Sequence, residues 1–127
     1  MIRDWKRHSL YMDFSNLQMP KGRPSDIDMF YLCPDNGILV LGEIKNRKGT
    51  FKYYQRNLFQ QIVDNYTPAG MILYIIHDEF VEQGAEMVDV SKCEVAEYYW
   101  EGKWYKPHKL LRVREALELV NRIKLEK

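Results

Sequence analysis

One stretch of the chain decides the fold, and it reads Pro24-Ser25-Asp26-Ile27-Asp28-Met29-Phe30-Tyr31-Leu32-Cys33-Pro34-Asp35-Asn36-Gly37-Ile38-Leu39-Val40-Leu41-Gly42-Glu43-Ile44-Lys45. Asn36-Gly37 lies between two apolar runs rich in β-favouring residues, which is a strong short-range signal for a β-hairpin. A chain that folds back at residues 35 and 36 places Asp28 opposite Glu43, and directly opposed residues of an antiparallel pair point to one face. Lys45 shares that face because it lies two residues beyond Glu43. The hairpin is therefore predicted to bring two carboxylates and one ammonium together at one end of a sheet, where they can hold a divalent cation and activate a water.

Helix and strand patterns continue on the C-terminal side of this hairpin. The hairpin strands are expected over 27–32 and 38–45, and both are apolar on both faces, which is typical of a sheet covered on both sides. A helix is predicted over 53–66, followed by a buried strand over 71–77. Strand, helix and strand in this order favour a βαβ unit with a parallel crossover. The apolar stripe of the helix consists of Tyr54, Leu58, Phe59, Ile62, Val63 and Tyr66.

The last third of the chain predicts further strands and a closing helix. Strands are expected over 87–90 and 93–100. The turn at residues 101–103 lies between aromatic-rich runs, so that residues 95–106 are predicted to form a second hairpin. A final helix is expected over 110–124, because apolar residues recur there at helical spacing.

The length and composition of the chain fit one domain. Its 127 residues are 46% hydrophobic, which is enough to build a packed core. Residues 2–11 are predicted to form a short helix, with a first strand over 10–14 as the alternative. These patterns together predict a single α/β domain over residues 1–127, with a mixed central β-sheet flanked by helices.

Charge and cysteine content restrict the classes of protein that the chain can belong to. The formal net charge is only +1, so any binding of nucleic acid must come from local basic patches. Cys33 and Cys93 lack the spacing of a zinc site, and we expect two reduced thiols in an intracellular protein. Residues 1–7 are charged and lack the apolar core of a signal peptide, while the longest apolar stretch, 71–76, is too short to span a bilayer. We therefore expect a cytoplasmic protein that does not enter a membrane.

An acidic residue followed by any residue and then lysine is a weak motif by itself, and this chain contains it at Asp4-Trp5-Lys6, Glu43-Ile44-Lys45 and Glu101-Gly102-Lys103. Only the second of these follows an unbroken apolar strand and has an upstream aspartate in hairpin register. Charged residues rarely occupy such strand positions unless they are paired or bind a metal. The alternative to a metal site is a structural ion pair at the end of the strand.

Asp28, then Glu43-x-Lys45 on a β-hairpin, followed by a glutamine-bearing helix and a buried strand, resembles the PD-(D/E)XK nuclease superfamily. The resemblance covers about residues 1–77, and the chain is similar in size to phage-type and Holliday-junction-resolvase-like members. It implies a restriction-endonuclease-like core and a metal-dependent DNA endonuclease that hydrolyses phosphodiester bonds, with branched or Holliday-junction DNA among the candidate substrates. The alternative is a catalytically inactive nuclease-like fold that binds nucleic acid or protein.

The resemblance also implies a role for each residue of the motif. Asp28 and Glu43 would be metal ligands, together with the backbone carbonyl of Ile44. Lys45 would position or polarise the attacking water and stabilise the negative charge that develops on the phosphate. Hard oxygen ligands of this kind suit Mg²⁺, for which Mn²⁺ can substitute, rather than zinc.

The sequence contains further candidate residues for the metal site and for the helix that follows it. Many members of the superfamily carry another acidic residue on the first helix, and Asp13 is the better match for it here. Asp26 is an additional candidate ligand, although a contact between Asp26 and Lys45 would account for it equally. Gln55, Gln60 and Gln61 are candidates for a glutamine found on the following helix in some relatives, against ordinary solvated glutamines.

Basic residues follow the motif closely. Arg47, Lys48, Lys52 and Arg56 lie in the turn and helix start after Lys45, where they would suit the phosphate backbone of DNA. The alternative is a solvated loop. A second basic and aromatic stretch, residues 103–109, can stack on bases, on a partner chain or on the C-terminal helix. A homodimer is compatible with this sequence, since a resolvase must cut two strands symmetrically.

Overall fold

A five-stranded mixed sheet is the centre of the part of the chain that the structure describes, residues 27–78 and 88–126. The computed structural model places the strands in the spatial order β1-β2-β3-β4-β5. They are β1 (Met29–Leu32), β2 (Leu39–Asn46), β3 (Gly70–His77), β4 (Glu94–Trp100) and β5 (Lys103–Tyr105). The helices described are α1 (Tyr53–Asp64) and α2 (Val113–Asn121), with one 3₁₀ turn at Val90–Lys92. The predicted α/β class with a mixed sheet is confirmed.

The hairpin that decides the fold forms in the predicted register. Strands β1 and β2 are antiparallel, with Met29 opposite Gly42. Continued by one residue towards the N-terminus of β1, this register places Asp28 opposite Glu43. The turn contains Gly37 at φ +75°, a left-handed conformation that glycine adopts without steric cost. The side chain of Asn36 reinforces the turn, because its Oδ1 accepts a hydrogen bond from the backbone N–H of Ile38 at 3.0 Å.

The predicted βαβ unit is also present. Strands β2 and β3 run parallel over eight residues each, from Leu39 opposite Gly70 to Asn46 opposite His77, and α1 connects them. The prediction of a second hairpin is confirmed by β4 and β5, which are antiparallel. Helix α1 begins where expected and ends two residues earlier than predicted, at Asp64.

Alternation along the strands divides the core into two layers, one on each side of the sheet. Helix α1 packs on one side, here called the α1 face, and helix α2 packs on the other, the α2 face. The α1 face buries Leu39, Leu41, Phe59, Val63, Ile72 and Ile76. The α2 face buries Val40, Leu73, Ile75, Val95, Ala116 and Val120.

Strand β1 departs from the prediction that both sides of the sheet are covered. Phe30 is 65% exposed and Leu32 is 49% exposed, although Met29 and Tyr31 pack against the core of the α2 face. Strand β1 stands at the end of the strand order, whereas α1 packs against β3. An apolar sequence on both sides of a strand therefore predicted burial that the end strand does not have.

Two predicted elements near the second hairpin are wrong in type or length. A strand was predicted over 87–90, but the described residues 88–90 are not in a strand, and residues 90–92 form a 3₁₀ turn. The side chain of Asp89 accepts the N–H of Ser91 at 3.1 Å and so competes with strand pairing. Helix α2 begins at Val113 rather than residue 110. The preceding residues are held extended, since the Leu111 carbonyl accepts the N–H of Val95 at 2.8 Å and Arg112 bridges to Glu94.

Some predictions concern residues outside the described ranges. These are the N-terminal helix over 2–11, its alternative strand over 10–14, and the single domain over residues 1–127. Within the described ranges, neither helix combines the length and the apolar character needed to cross a bilayer.

Gly70 is a point of close approach between β3 and α1, and we expect a substitution there to destabilise the fold. A Cβ at Gly70 would lie 2.6 Å from the Cβ and 2.9 Å from the Cα of Val63, so helix and strand would have to separate. Gly70→Ala should lower the free energy of unfolding by about 1–3 kcal/mol, as overpacking typically does. Urea denaturation measures this, with Gly102→Ala as a comparison, because a Cβ there meets no atom within 4 Å and only its positive φ opposes the change. An unchanged midpoint for Gly70→Ala would show that α1 is not packed against β3 as described.

Candidate active site

The end of β2 brings the predicted acidic and basic side chains together. Glu43 and Lys45 follow Leu41 at intervals of two residues along β2, so their side chains lie on the α1 face, as the side chain of Leu41 does. Glu43 is only 3% exposed, and its Oε1 lies 3.2 Å from the Nζ of Lys45. Lys45 is partly exposed and can reach solvent. The strand therefore ends in a buried carboxyl with an accessible ammonium beside it.

Asp28 joins this group from the start of the hairpin. Its Oδ2 accepts a hydrogen bond from the backbone N–H of Ile44 at 2.8 Å, so the side chain of Asp28 contacts β2 just before β1 begins at Met29. The turn signal in the sequence is what fixes this register. The predicted meeting of Asp28 with the Glu43-Ile44-Lys45 segment is thus present in the fold.

The backbone carbonyl of Ile44 lies on the same side of β2 as Asp28. In a strand, the N–H and C=O of one residue point the same way, and those of the next residue point the opposite way. Leu39 and Arg47 direct their N–H groups to the β3 side, where the carbonyls of Ala69 and His77 accept them. Ile44 is offset from both by an odd number of residues, so its carbonyl points away from β3 and towards Asp28.

The electrostatic environment of Glu43 disfavours its charged form. Burial is the largest cause and the negative charge of Asp28 the next, and together they raise the pKa of Glu43 from its ordinary 4.5 to about 7 against the opposing effect of Lys45. Glu43 Oε2 is buried and has no hydrogen-bond partner among the described residues. A cation between Asp28 and Glu43 would satisfy that oxygen and relieve the repulsion.

The available donors suit a hard divalent cation. Asp28, Glu43 and the Ile44 carbonyl offer oxygen atoms only, which is the ligand type of Mg²⁺ and Mn²⁺. Within residues 27–78 and 88–126, no group of three or more His, Cys, Asp and Glu side chains is arranged to hold a metal. The additional acidic candidates Asp13 and Asp26 lie outside those ranges. The described part of the site therefore consists of two carboxylates and one carbonyl.

The candidate glutamines have different surroundings. Gln55 lies in the first turn of α1, and its amide oxygen is buried without a hydrogen-bond partner in the described structure. Gln60 accepts a hydrogen bond at 3.1 Å from the indole N–H of Trp104, which belongs to β5 at the far end of the strand order from β1. The side-chain oxygen of Gln60 therefore already has a hydrogen-bond partner, whereas that of Gln55 remains able to accept a hydrogen bond.

The four basic residues proposed to contact DNA differ in whether an acidic side chain already neutralises them. Arg47 donates to both carboxylate oxygens of Asp78 and, at 3.0 Å, to Glu94. Lys48 and Lys52 are exposed and form no ion pair with any described residue. Of the candidate DNA contacts, these two lysines are therefore the ones whose charges the described fold leaves accessible.

Arg56 is enclosed by aromatic rings, which the sequence did not predict. Its guanidinium carbon lies 4.6 Å from the ring centre of Trp104, 5.1 Å from that of Phe51 and 5.4 Å from that of Tyr74. The guanidinium also donates to Glu97 at 3.0 Å. This arrangement joins α1, β3, β4 and β5, and the only signal in the sequence was the presence of aromatic residues in each element.

The same aromatic group holds the loop that follows Lys45. The Tyr74 hydroxyl donates to the Gly49 carbonyl at 3.3 Å, and Arg56 Nε donates to the Phe51 carbonyl at 3.1 Å. Tyr74 is also the residue opposite Glu43 in the β2–β3 register. The loop carrying Lys48 is therefore tied to the strand beside Glu43.

Comparison of the chain with protein-family models, with curated proteins and with solved structures finds no match.

Proposed function

We propose that this protein is a metal-dependent DNA endonuclease of the PD-(D/E)XK type, with a restriction-endonuclease-like core that hydrolyses phosphodiester bonds. The observation that carries the proposal is the unpartnered, buried Oε2 of Glu43, which lies beside a second carboxylate and an ammonium. Asp28, Glu43 and the Ile44 carbonyl would hold Mg²⁺. Branched, duplex and single-stranded DNA are all candidate substrates.

Each residue of the site has a distinct part in this reaction. A divalent cation at Asp28 and Glu43 would neutralise the scissile phosphate and lower the pKa of the attacking water. Lys45 would donate a hydrogen bond to that water or to the phosphate oxygen on which charge develops. Its ammonium is oriented by the 3.2 Å contact with Glu43 and remains accessible from solvent. Lys48 and Lys52 would contact the DNA backbone without reading its sequence.

A structural ion pair explains this arrangement less well. One ammonium pairs with Glu43, and Asp28 adds a second negative charge beside Glu43, so the group keeps a net negative charge when all three are ionised. An ion pair retained for stability would satisfy its buried oxygens, because an unpartnered buried carboxylate oxygen is costly. Here one oxygen of Glu43 is left without a donor in the described structure.

A second candidate function is a nuclease-like module that binds nucleic acid or protein without cleaving it. The observation that favours it is the lack of a third acidic ligand within the described residues. Such a module would keep its affinity for DNA when Lys45 is replaced, and it would show no Mg²⁺-dependent cleavage.

Metal binding tests the site directly. Calorimetric titration with Mn²⁺ and Mg²⁺ should give about one ion per chain for the wild type. The double variant Asp28→Asn/Glu43→Gln should bind at least about 100-fold more weakly, since both carboxylate ligands are lost. Glu101→Gln removes the exposed acid of the related Glu101-Gly102-Lys103 segment and should leave binding unchanged. If the wild type binds neither ion, even with a DNA duplex present, the catalytic proposal is wrong.

A further inference from the structure

An apolar cleft of about 730 Å³ lies on the α2 face, on the opposite side of the sheet from Glu43 and Lys45. Strands β3 and β4 form its floor, helix α2 forms one wall, and residues 107–111 form the other. Its volume falls in the range of about 300–1,000 Å³ typical of small-molecule sites. The apolar lining includes Met71, Leu73, Tyr98, Trp100, Leu119 and Ile123.

Two of the residues that line the cleft are unusually exposed for their type. Leu110 is 58% exposed and Leu119 is 51% exposed, and they lie on opposite walls. Apolar side chains gathered around a concave apolar surface are a feature of binding sites rather than of ordinary solvated surface. The shape and chemistry of the cleft therefore favour a ligand with an apolar chain or ring.

Basic groups border the cleft on one side. His108 and Lys109 line it, and the segment from Lys106 to Arg112 contains no acidic residue. Lys109 is exposed and forms no ion pair with a described residue. Glu115 is the acidic group in the lining, and its Oε1 accepts the N–H of Arg112 at 3.1 Å to cap helix α2. Lys109 therefore places one positive charge on the wall that faces helix α2, where it complements an anion.

We propose that this cleft binds a small amphipathic anion. The apolar part of the ligand would lie against Tyr98, Trp100 and Leu119, and its carboxylate or sulfonate would face His108 and Lys109. This site is separate from the proposed metal site, so it does not depend on nuclease activity. A free, monomeric amphiphile fits a concave cleft of this volume better than a flat lipid surface does.

Fluorine NMR of protein labelled with 5-fluorotryptophan tests this proposal, with dodecanoate below its critical micelle concentration as the probe. The Trp100 resonance, assigned through Trp100→Phe, should shift on titration. The Trp104 resonance should stay in place, because Trp104 packs against Phe51 and Tyr99 on the α1 face. Dodecyltrimethylammonium, which has the same chain and the opposite charge, should bind at least about tenfold more weakly than dodecanoate.

Two substitutions at exposed positions separate binding from folding. Lys109→Glu should weaken dodecanoate binding by about tenfold, and Leu119→Glu should weaken it further by placing a carboxylate on the apolar wall. Lys103→Glu makes the same charge change outside the cleft and should leave binding unchanged. The proposal is overturned if the Trp100 resonance does not move, if it moves only above the micelle concentration, or if both amphiphiles bind equally. It is also overturned if that resonance depends on protein concentration without ligand, which would mean that a second copy covers the cleft.

Discussion

Replacing Lys45 by alanine should reduce Mg²⁺-dependent cleavage of DNA by about 10²–10³-fold, or about 2.7–4 kcal/mol of transition-state stabilisation. The reason is that the ammonium next to Glu43 is the donor that the described residues place beside the proposed metal ligands. Loss of such a donor affects the chemical step more than the binding of DNA. The effect should therefore appear in the single-turnover rate constant, with DNA affinity changed far less.

The assay has to separate this role of Lys45 from its effect on Glu43. Lys45 lowers the pKa of Glu43, so the alanine variant will hold a proton on Glu43 to higher pH. Cleavage is therefore compared at pH 8.5 and at saturating Mg²⁺, after calorimetry has verified that the variant still binds metal. Lys103→Ala provides a matched control, because Lys103 ends the same acid-x-Lys pattern at an exposed position, the first residue of β5.

Each outcome of this experiment has a clear meaning. If Lys45→Ala cleaves branched, duplex and single-stranded DNA as fast as the wild type does, the catalytic role of Lys45 is wrong. If the wild type binds DNA but cleaves none of these substrates, the protein is the binding module that forms the second candidate. If only Lys45→Ala loses cleavage, the proposed function gains its direct support.

The hairpin could be predicted from the sequence because its determinants are local. Asn36-Gly37 specifies the turn, and the turn fixes the register that puts Asp28 opposite Glu43. The same reasoning applies to the βαβ unit, since a helix between two apolar strands leaves few arrangements. The positions of Asp28, Glu43 and Lys45 relative to the turn were therefore enough to predict that they lie together.

The surroundings of the site could not be predicted in this way, because they depend on residues far apart in the chain. Arg47 and Arg56 were interpreted as free cations next to Lys45. Their partners are Asp78, Glu94 and Glu97, which lie between 31 and 47 positions further on. Sequence spacing gives the charge of a residue but not the partner that neutralises it, so a run of basic residues overstates the charge available to DNA.

The start of helix α2 shows the same limit for secondary structure. Apolar residues at helical spacing predicted a helix from residue 110, and the pattern itself is correct from Val113 onwards. Leu111 and Arg112 instead pair with the start of β4, through the Val95 N–H and a bridge to Glu94. A backbone partner supplied by another element overrides local helical preference.

Glu43→Gln should stabilise the metal-free protein at pH 8 by up to about 3 kcal/mol, although it removes an ion pair. The pKa of Glu43 is about 7 in the folded protein, against an ordinary value of 4.5. Between these values the folded chain retains a proton that the unfolded chain releases. The favourable contribution is therefore complete below about pH 4.5 and is lost as the pH rises through 7. Glutamine carries no charge, so the variant does not lose this stability.

Urea denaturation in the presence of EDTA at pH 4.5 and pH 8 distinguishes a metal site from a structural ion pair at Glu43 and Lys45. A metal site without its cation predicts that the difference between Glu43→Gln and wild type grows from near zero at pH 4.5 to its full value at pH 8. Addition of Mg²⁺ should then stabilise the wild type alone, because a cation that binds only the folded state adds to its stability. A structural ion pair predicts the reverse, with the variant less stable at pH 8 and no response to Mg²⁺ in either protein. Glu101→Gln, at an exposed turn, should match the wild type under all of these conditions.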